Sequence, residues 1–199
     1  MRKIILIVAI LSFQLSLFSL IINEENYDFE LIERGEYSTF RINQDVIYSQ
    51  ITGAPAIPLK SVFIQLPEGK KINSVNVIPQ DYETIQLSKQ LLPVQRAFPL
   101  SYDKRVTFQE PIEQFYDKEV YPENQVFNFG SGQLGNTSIG YISFYSYRYF
   151  PKEFKIEIPE NFEIEIEFED DLNFENYPGN YITNEILESL GISNREEEE

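Results

Sequence analysis

Residues 162–169 alternate without a break: Phe162, Ile164, Ile166 and Phe168 are apolar, and Glu163, Glu165, Glu167 and Glu169 are anionic. Successive side chains of a β-strand point to opposite faces, so this stretch predicts a strand with one face on a core and the other in water. A helix would wind the same residues around its circumference and bury glutamates beside phenylalanines. On the strand the carboxylates lie about 6.5–7 Å apart along one face, close to separations used in glycoside hydrolysis. No convergent partner accompanies them, and repeated like charge reads as a solvated sheet face that discourages edge pairing.

The same period runs through the chain from Asn23 onward, as short apolar or β-branched runs broken by Pro, Gly and Asn. Strands are predicted near Tyr27–Arg34, Tyr37–Asn43, Ser61–Gln65, Ser74–Pro79, Tyr82–Ser88, Gln125–Phe129, Gly140–Tyr149, Lys155–Ile158 and Phe162–Glu169. The fold class is therefore all-β, an antiparallel β-sandwich of about 8–10 strands. One short C-terminal helix is expected over Asn184–Leu190, capped by Thr183 or Asn184 and stopped by Gly191. The stretch Lys89–Tyr121, with Pro93, Pro99 and Pro111, reads as an extended connection between two groups of strands. The boundaries follow: 1–22 a leader, 23–175 the sandwich, and 176–199 a short helix with a disordered acidic tail.

The leader is Met-Arg-Lys followed by Ile4–Ile22, an uncharged and mostly apolar run. That is the layout of a secretory signal, and the run is also long enough to stay as an uncleaved anchor. In both cases the remainder is secreted or held at the cell surface. Loss of Arg2 and Lys3 with the leader, and of no acid, takes the net charge from −16 to −18. Such a surface repels phosphate backbones, so no nucleic-acid partner is expected, and no membrane partner once the leader is gone. An acidic surface attracts basic proteins or Ca²⁺, and Asp170-Asp171 is one place for the ion, but solubility explains the charge equally well.

The sequence contains no Cys and no His. Thiolate nucleophiles, thiolate zinc sites and redox pairs are excluded, as are imidazole bases and ligands. No catalytic residues and no metal ligands are assigned, and no cofactor is expected. A carboxylate hydrolase needs two acids of divergent pKa in one cleft, and the sequence shows no such pair. Tyr141, Tyr145, Tyr147 and Tyr149 share parity within one predicted strand. They form either a stacking face for sugars or a partner chain, or a row packed across the sandwich with hydroxyls at its rim. Asn136-Thr137-Ser138 fits a glycosylation sequon.

Three segments together resemble the propeptides of gingipain-type cysteine peptidases. Gly53-Ala-Pro-Ala-Ile-Pro-Leu59, running on to Leu66-Pro67, is similar to that family's "G-x-P-x-L-P" lead into a strand closed by Pro. Tyr121-Pro122-Glu123 matches the "Y/F-P-x" element after its Pro-rich middle. Gly140–Phe144, Tyr149-Phe150-Pro151 and Phe162–Phe168 resemble its closing strand, "Y-x-P" turn and returning strand. Each motif also has a local reason: Pro55 and Pro58 withhold backbone donors, so the chain should run unpaired until Ser61, and Pro151 should end the aromatic strand.

The resemblance implies a non-catalytic prodomain that assists folding and keeps a caspase-like-fold cysteine peptidase latent, in cis within a longer precursor or in trans. In that family a prodomain loop offers a basic side chain to the peptidase pocket. The corresponding loop here is Gly130–Gly140, which contains no Arg or Lys. Its expected partner-contacting residues are Gln133, Leu134, Asn136 and Ile139. Either the partner does not prefer basic residues, or the loop does not mimic substrate. Arg195 is the expected processing site. The alternative function is a cell-surface adhesion or glycan-binding sandwich using the tyrosine row.

Overall fold

The computed structural model describes residues 18–22, 29–42, 47–99, 101, 106–175, 185–187 and 189–190. Its strands are β1 (Phe18–Ile22), β2 (Phe29–Arg34), β3 (Tyr37–Ile42), β4 (Ile47–Tyr48), β5 (Pro58–Gln65) and β6 (Lys70–Gln86). They continue with β7 (Val126–Leu134), β8 (Thr137–Tyr145), β9 (Arg148–Phe150) and β10 (Lys155–Asp170). A four-residue helix, α1 (Glu113–Tyr116), and a 3₁₀ turn (Pro151–Glu153) lie between strands. One sheet has the order β1-β10-β6, with β9 also on β10; a second has the order β4-β5-β8-β7; β2 and β3 form a separate hairpin. Every strand pair is antiparallel.

Alternation in β10 organises the core. Phe162, Ile164 and Ile166 are buried against Val77 and Ile72 of β6 and against Ile142 and Phe144 of β8, which makes this the interior of a two-sheet sandwich. Each such side chain contributes about 1.5–3 kcal/mol by leaving water. Ile156 and Ile158 lie on the same face nearer the start of β10, in a different cluster. A second core closes over them from Phe40, Ile57, Leu91, Tyr116, Tyr121, Tyr145, Tyr147 and Tyr149. One strand face thus supports an aliphatic core between sheets and a tyrosine-rich core beside it.

Several expectations change. The separate strands at 74–79 and 82–88 are one strand, β6, and those at 155–158 and 162–169 are one strand, β10, paired along their whole lengths. Pro159 does not break β10: it falls between the stretches paired with β9 and with β1, where the strand has a free side for a residue lacking an N–H. Pairing of β5 begins at Pro58 rather than Ser61, because Pro58 needs only its carbonyl, which accepts from the Ser146 N–H at 3.0 Å.

The strand expected over Gly140–Tyr149 is two strands. β8 ends at Tyr145 in the second sheet and β9 starts at Arg148 in the first, so the chain changes sheet at Ser146-Tyr147. The described residues of 89–121 are irregular as expected, apart from α1 and bridges that tie Leu91 to Ser38, Pro93 to Pro55 and Tyr121 to Tyr149. Residues 185–187 and 189 are helical, within the expected terminal helix. β1 lies inside the segment read as leader, and its register sets Phe18 opposite Ile166 and Ile22 opposite Phe162. Among the described residues no helix is long and apolar enough to cross a membrane.

Candidate protein interface

The segment expected as a loop, Gly130–Gly140, is a β-hairpin. β7 and β8 pair from Leu134↔Thr137 back to Val126↔Phe144 around the two-residue turn Gly135-Asn136. Gly135 has φ +62°, which the first position of such a tight turn demands and which a side chain would strain. Gln133, Leu134 and Asn136 therefore cluster at the hairpin tip, with Ile139 one pair further in. Gln133 and Asn136 are exposed; Leu134 and Ile139 are half-buried. Gln133 already has an occupant: its Nε2 donates to the carbonyls of Gly135 and Glu175, and its Oε1 accepts from the Glu175 N–H at 3.4 Å. Arg195 lies outside the described residues.

The tyrosine row does not form a stacking face. Tyr141 is 37% exposed, but Tyr145, Tyr147 and Tyr149 are at 4%, 1% and 0%. Shared parity puts residues on one face only while the strand continues, and the change of sheet after Tyr145 turns the last two into the second core. There Tyr116 donates to the Leu91 carbonyl at 2.7 Å, Tyr149 Oη accepts from the Leu91 N–H at 3.3 Å, and the Tyr121 and Tyr145 hydroxyls lie 3.3 Å apart. Rings meet edge to face, as in Tyr116–Tyr149 at 6.2 Å and Tyr121–Tyr145 at 5.9 Å. Burial pushes the Tyr149 hydroxyl up to about 12, and Tyr116 and Tyr121 rise for the same first reason. The glycan-binding alternative loses the surface it needed.

The carboxylate face of β10 is a ladder. Gln80 Nε2 donates to Glu163 at 2.8 Å, Asn76 Nδ2 to Glu165 at 2.9 Å and Ser74 Oγ to Glu167 at 2.8 Å, while Lys71 pairs with Glu169 at 3.0 Å. Lys70 pairs with Asp170 at 2.5 Å and holds its carboxyl below the usual range. Each acid is matched to a donor across the strand pair rather than aimed at a common point. Among the described residues no three carboxylates converge to hold a metal. A groove of about 540 Å³ lies beside the β2–β3 turn, where Tyr37 stacks on Phe108 at 5.6 Å and donates to Glu110 at 3.0 Å. Burial and then Glu110 raise the Tyr37 hydroxyl, so it remains a neutral donor.

The surface that sequence reasoning missed is the outer face of the second sheet. Pairing puts Phe63 opposite Tyr141, Ser61 opposite Ser143 and Gln65 opposite Ile139, all facing away from the core. On β7, Gly130 and Gly132 continue the rows of Tyr141 and Ile139. A Cβ at Gly130 would lie 2.6 Å from Tyr141 Cε1, so the ring rests on bare backbone. Phe127, the extra residue of a bulge between Val126 and Asn128, adds a third exposed aromatic and meets Tyr145 edge to face at 5.6 Å. The four strands of this sheet carry one charged residue, Lys60, and it is buried. Catalytic chemistry has nothing to work with here, whereas protein recognition has aromatic anchors and no charge to desolvate.

No protein-family model and no curated protein matches the chain. Solved structures do. A chain in the complex of Porphyromonas gingivalis RgpB pro- and mature domains aligns with a TM-score of 0.60 at 13% identity, over 90% of this chain and 94% of that one. A structure bearing on the zymogenic latency of gingipain K from Porphyromonas gingivalis aligns with a TM-score of 0.53 at 17% identity, over 77% of this chain and 93% of that one. The chain shares its fold with a chain of each of these gingipain structures.

Proposed function

We infer that the chain is a propeptide-like module that assists the folding of a secreted gingipain-type cysteine endopeptidase and holds it latent through protein–protein contact. The observation that carries this is the likeness to a chain of a pro-and-mature-domain complex across 90% of this chain and 94% of that one. The residues agree: without Cys or His the chain supplies neither half of a thiol–imidazole pair, so the peptidase chemistry belongs to the partner. That partner is a caspase-like-fold domain, joined in cis or met in trans, acting outside the cell or at its surface.

The test is a titration of the purified chain into the mature catalytic domains of RgpB and of gingipain K, following peptide hydrolysis and binding together. Concentration-dependent loss of activity, reversed when the added chain is cut, is expected. If neither enzyme is bound or slowed, and neither refolds in better yield with the chain present, the reading is wrong.

A further inference from the structure

Sheet edges differ sharply in how they are guarded. Exposed edge strands are usually blunted by charge, proline or short length, because unpaired N–H and C=O groups template further pairing. The β6 edge carries Lys70, Lys71, Pro79, Asp81 and Glu83, and the β4 edge is two residues long. β7 closes the other end of the second sheet with nine residues, VFNFGSGQL, free of charge and proline. A two-residue turn makes Leu134↔Thr137 a mutually bonded pair, so by alternation Phe129, Ser131 and Gln133 direct their backbone groups away from β8, along an edge on which no strand pairs among the described residues. The Ser131 hydroxyl meets β6 instead, accepting from the Ile72 N–H at 2.8 Å. It fastens the strand without using its main chain.

We propose that the open edge of β7 and the charge-free face beside it, centred on Phe63 and Tyr141, are the surface that grips the peptidase domain. This inference rests on the propeptide reading above. The partner adds an extended, uncharged segment along β7 and covers the aromatic pair with an apolar patch. Phe63 is 41% exposed and shares its register position with Tyr141. Gly132, where an added Cβ would meet nothing within 4 Å, leaves backbone bare on which a neighbouring chain can lie close, and Ile139 opposite it continues the face to the hairpin tip. Exposed aromatics with charge depleted mark interface centres, where a few anchors carry most of the affinity.

Charge selects the occupant. The chain carries −16 overall, yet this face carries none, so a neutral apolar surface docks without desolvating a carboxylate. A second copy would bring another −16 to meet the first, which opposes self-pairing at low salt.

Three variants and the wild type, titrated against the mature RgpB catalytic domain, test this. Gly132→Lys puts a charged side chain on the face at a position where an added Cβ meets nothing within 4 Å, so the fold is kept. Phe63→Ala with Tyr141→Ala removes the anchors, and Glu165→Gln changes the opposite face. The first two should weaken binding by at least about tenfold with a thermal midpoint close to wild type, and the third by less than about twofold. Equal binding by wild type and both face variants overturns this assignment and leaves the propeptide reading standing. Absence of wild-type binding removes that reading, and this one with it. A wild-type dimer in sedimentation that Gly132→Lys dissolves gives the face to a second copy, against the proposal.

Discussion

The outer face of β6 and β10 and the outer face of β5, β8 and β7 are made by the same period-two rule and come out as opposites. On the first, glutamates stand in a row and each is met by an amide, hydroxyl or ammonium from the neighbouring strand. On the second, serines, glycines and aromatics stand where charges would be expected in so acidic a chain. Both faces rest on one aliphatic core. The difference teaches that net charge is a poor guide to where such a molecule meets others, because the glutamates of this ladder stand on one side and already have partners.

The largest effect should come from beneath both faces. Ile164→Ala empties a fully buried position between the sheets and should cost about 3–4 kcal/mol in denaturant unfolding. One cooperative transition is expected, since the faces share that core; separate transitions would show that they do not.

Next comes alkaline pH, which reads the buried Tyr149 hydroxyl of the second core. A hydroxyl with a folded pKa near 12 and an unfolded value of 10.0 keeps its full stabilising effect below pH 10. The unfolded chain loses its proton first, so stability falls as pH rises from 10 towards 12, by about 2–3 kcal/mol for Tyr149. The tyrosinate absorbance contributed by Tyr149, read as the difference between wild type and Tyr149→Phe, should therefore appear with unfolding rather than before it. Tyr149→Phe should narrow the loss. Tyr149 titrating near pH 10 in the folded protein would contradict its burial.

The smallest effect belongs to the carboxylate ladder. Asn76→Ala takes the donor from Glu165 on an exposed face, and stability should shift by no more than about 0.5 kcal/mol. A larger loss would mean that the ladder holds the sheet rather than decorating it.

Much of this contrast was legible in the sequence. The alternation at 162–169 named its strand, its buried side and its solvated side, because period two over eight residues admits no other arrangement. Prolines were read too strictly. Pro58 reads as keeping the chain unpaired until Ser61, yet a proline at a strand start costs no ladder bond, and that depends on neighbours the sequence does not show. The tyrosine row left two readings open for a related reason: parity is a property of one strand, and the change of sheet at Ser146-Tyr147, which decides for burial, is set by packing far away in the chain. The candidate interface had a signal that went unread. Residues 58–65, 126–134 and 137–145 are nearly free of charge in a strongly acidic chain, but only the pairing of those strands turns three quiet segments into one surface.

Hydrogen exchange on this chain, alone and bound to a mature gingipain-type catalytic domain, tests the central claim most directly. Slower exchange at the amides of Phe129, Ser131 and Gln133, with the β6 edge unchanged, is the expected result. Protection along β6 while β7 exchanges as in the free chain would contradict it.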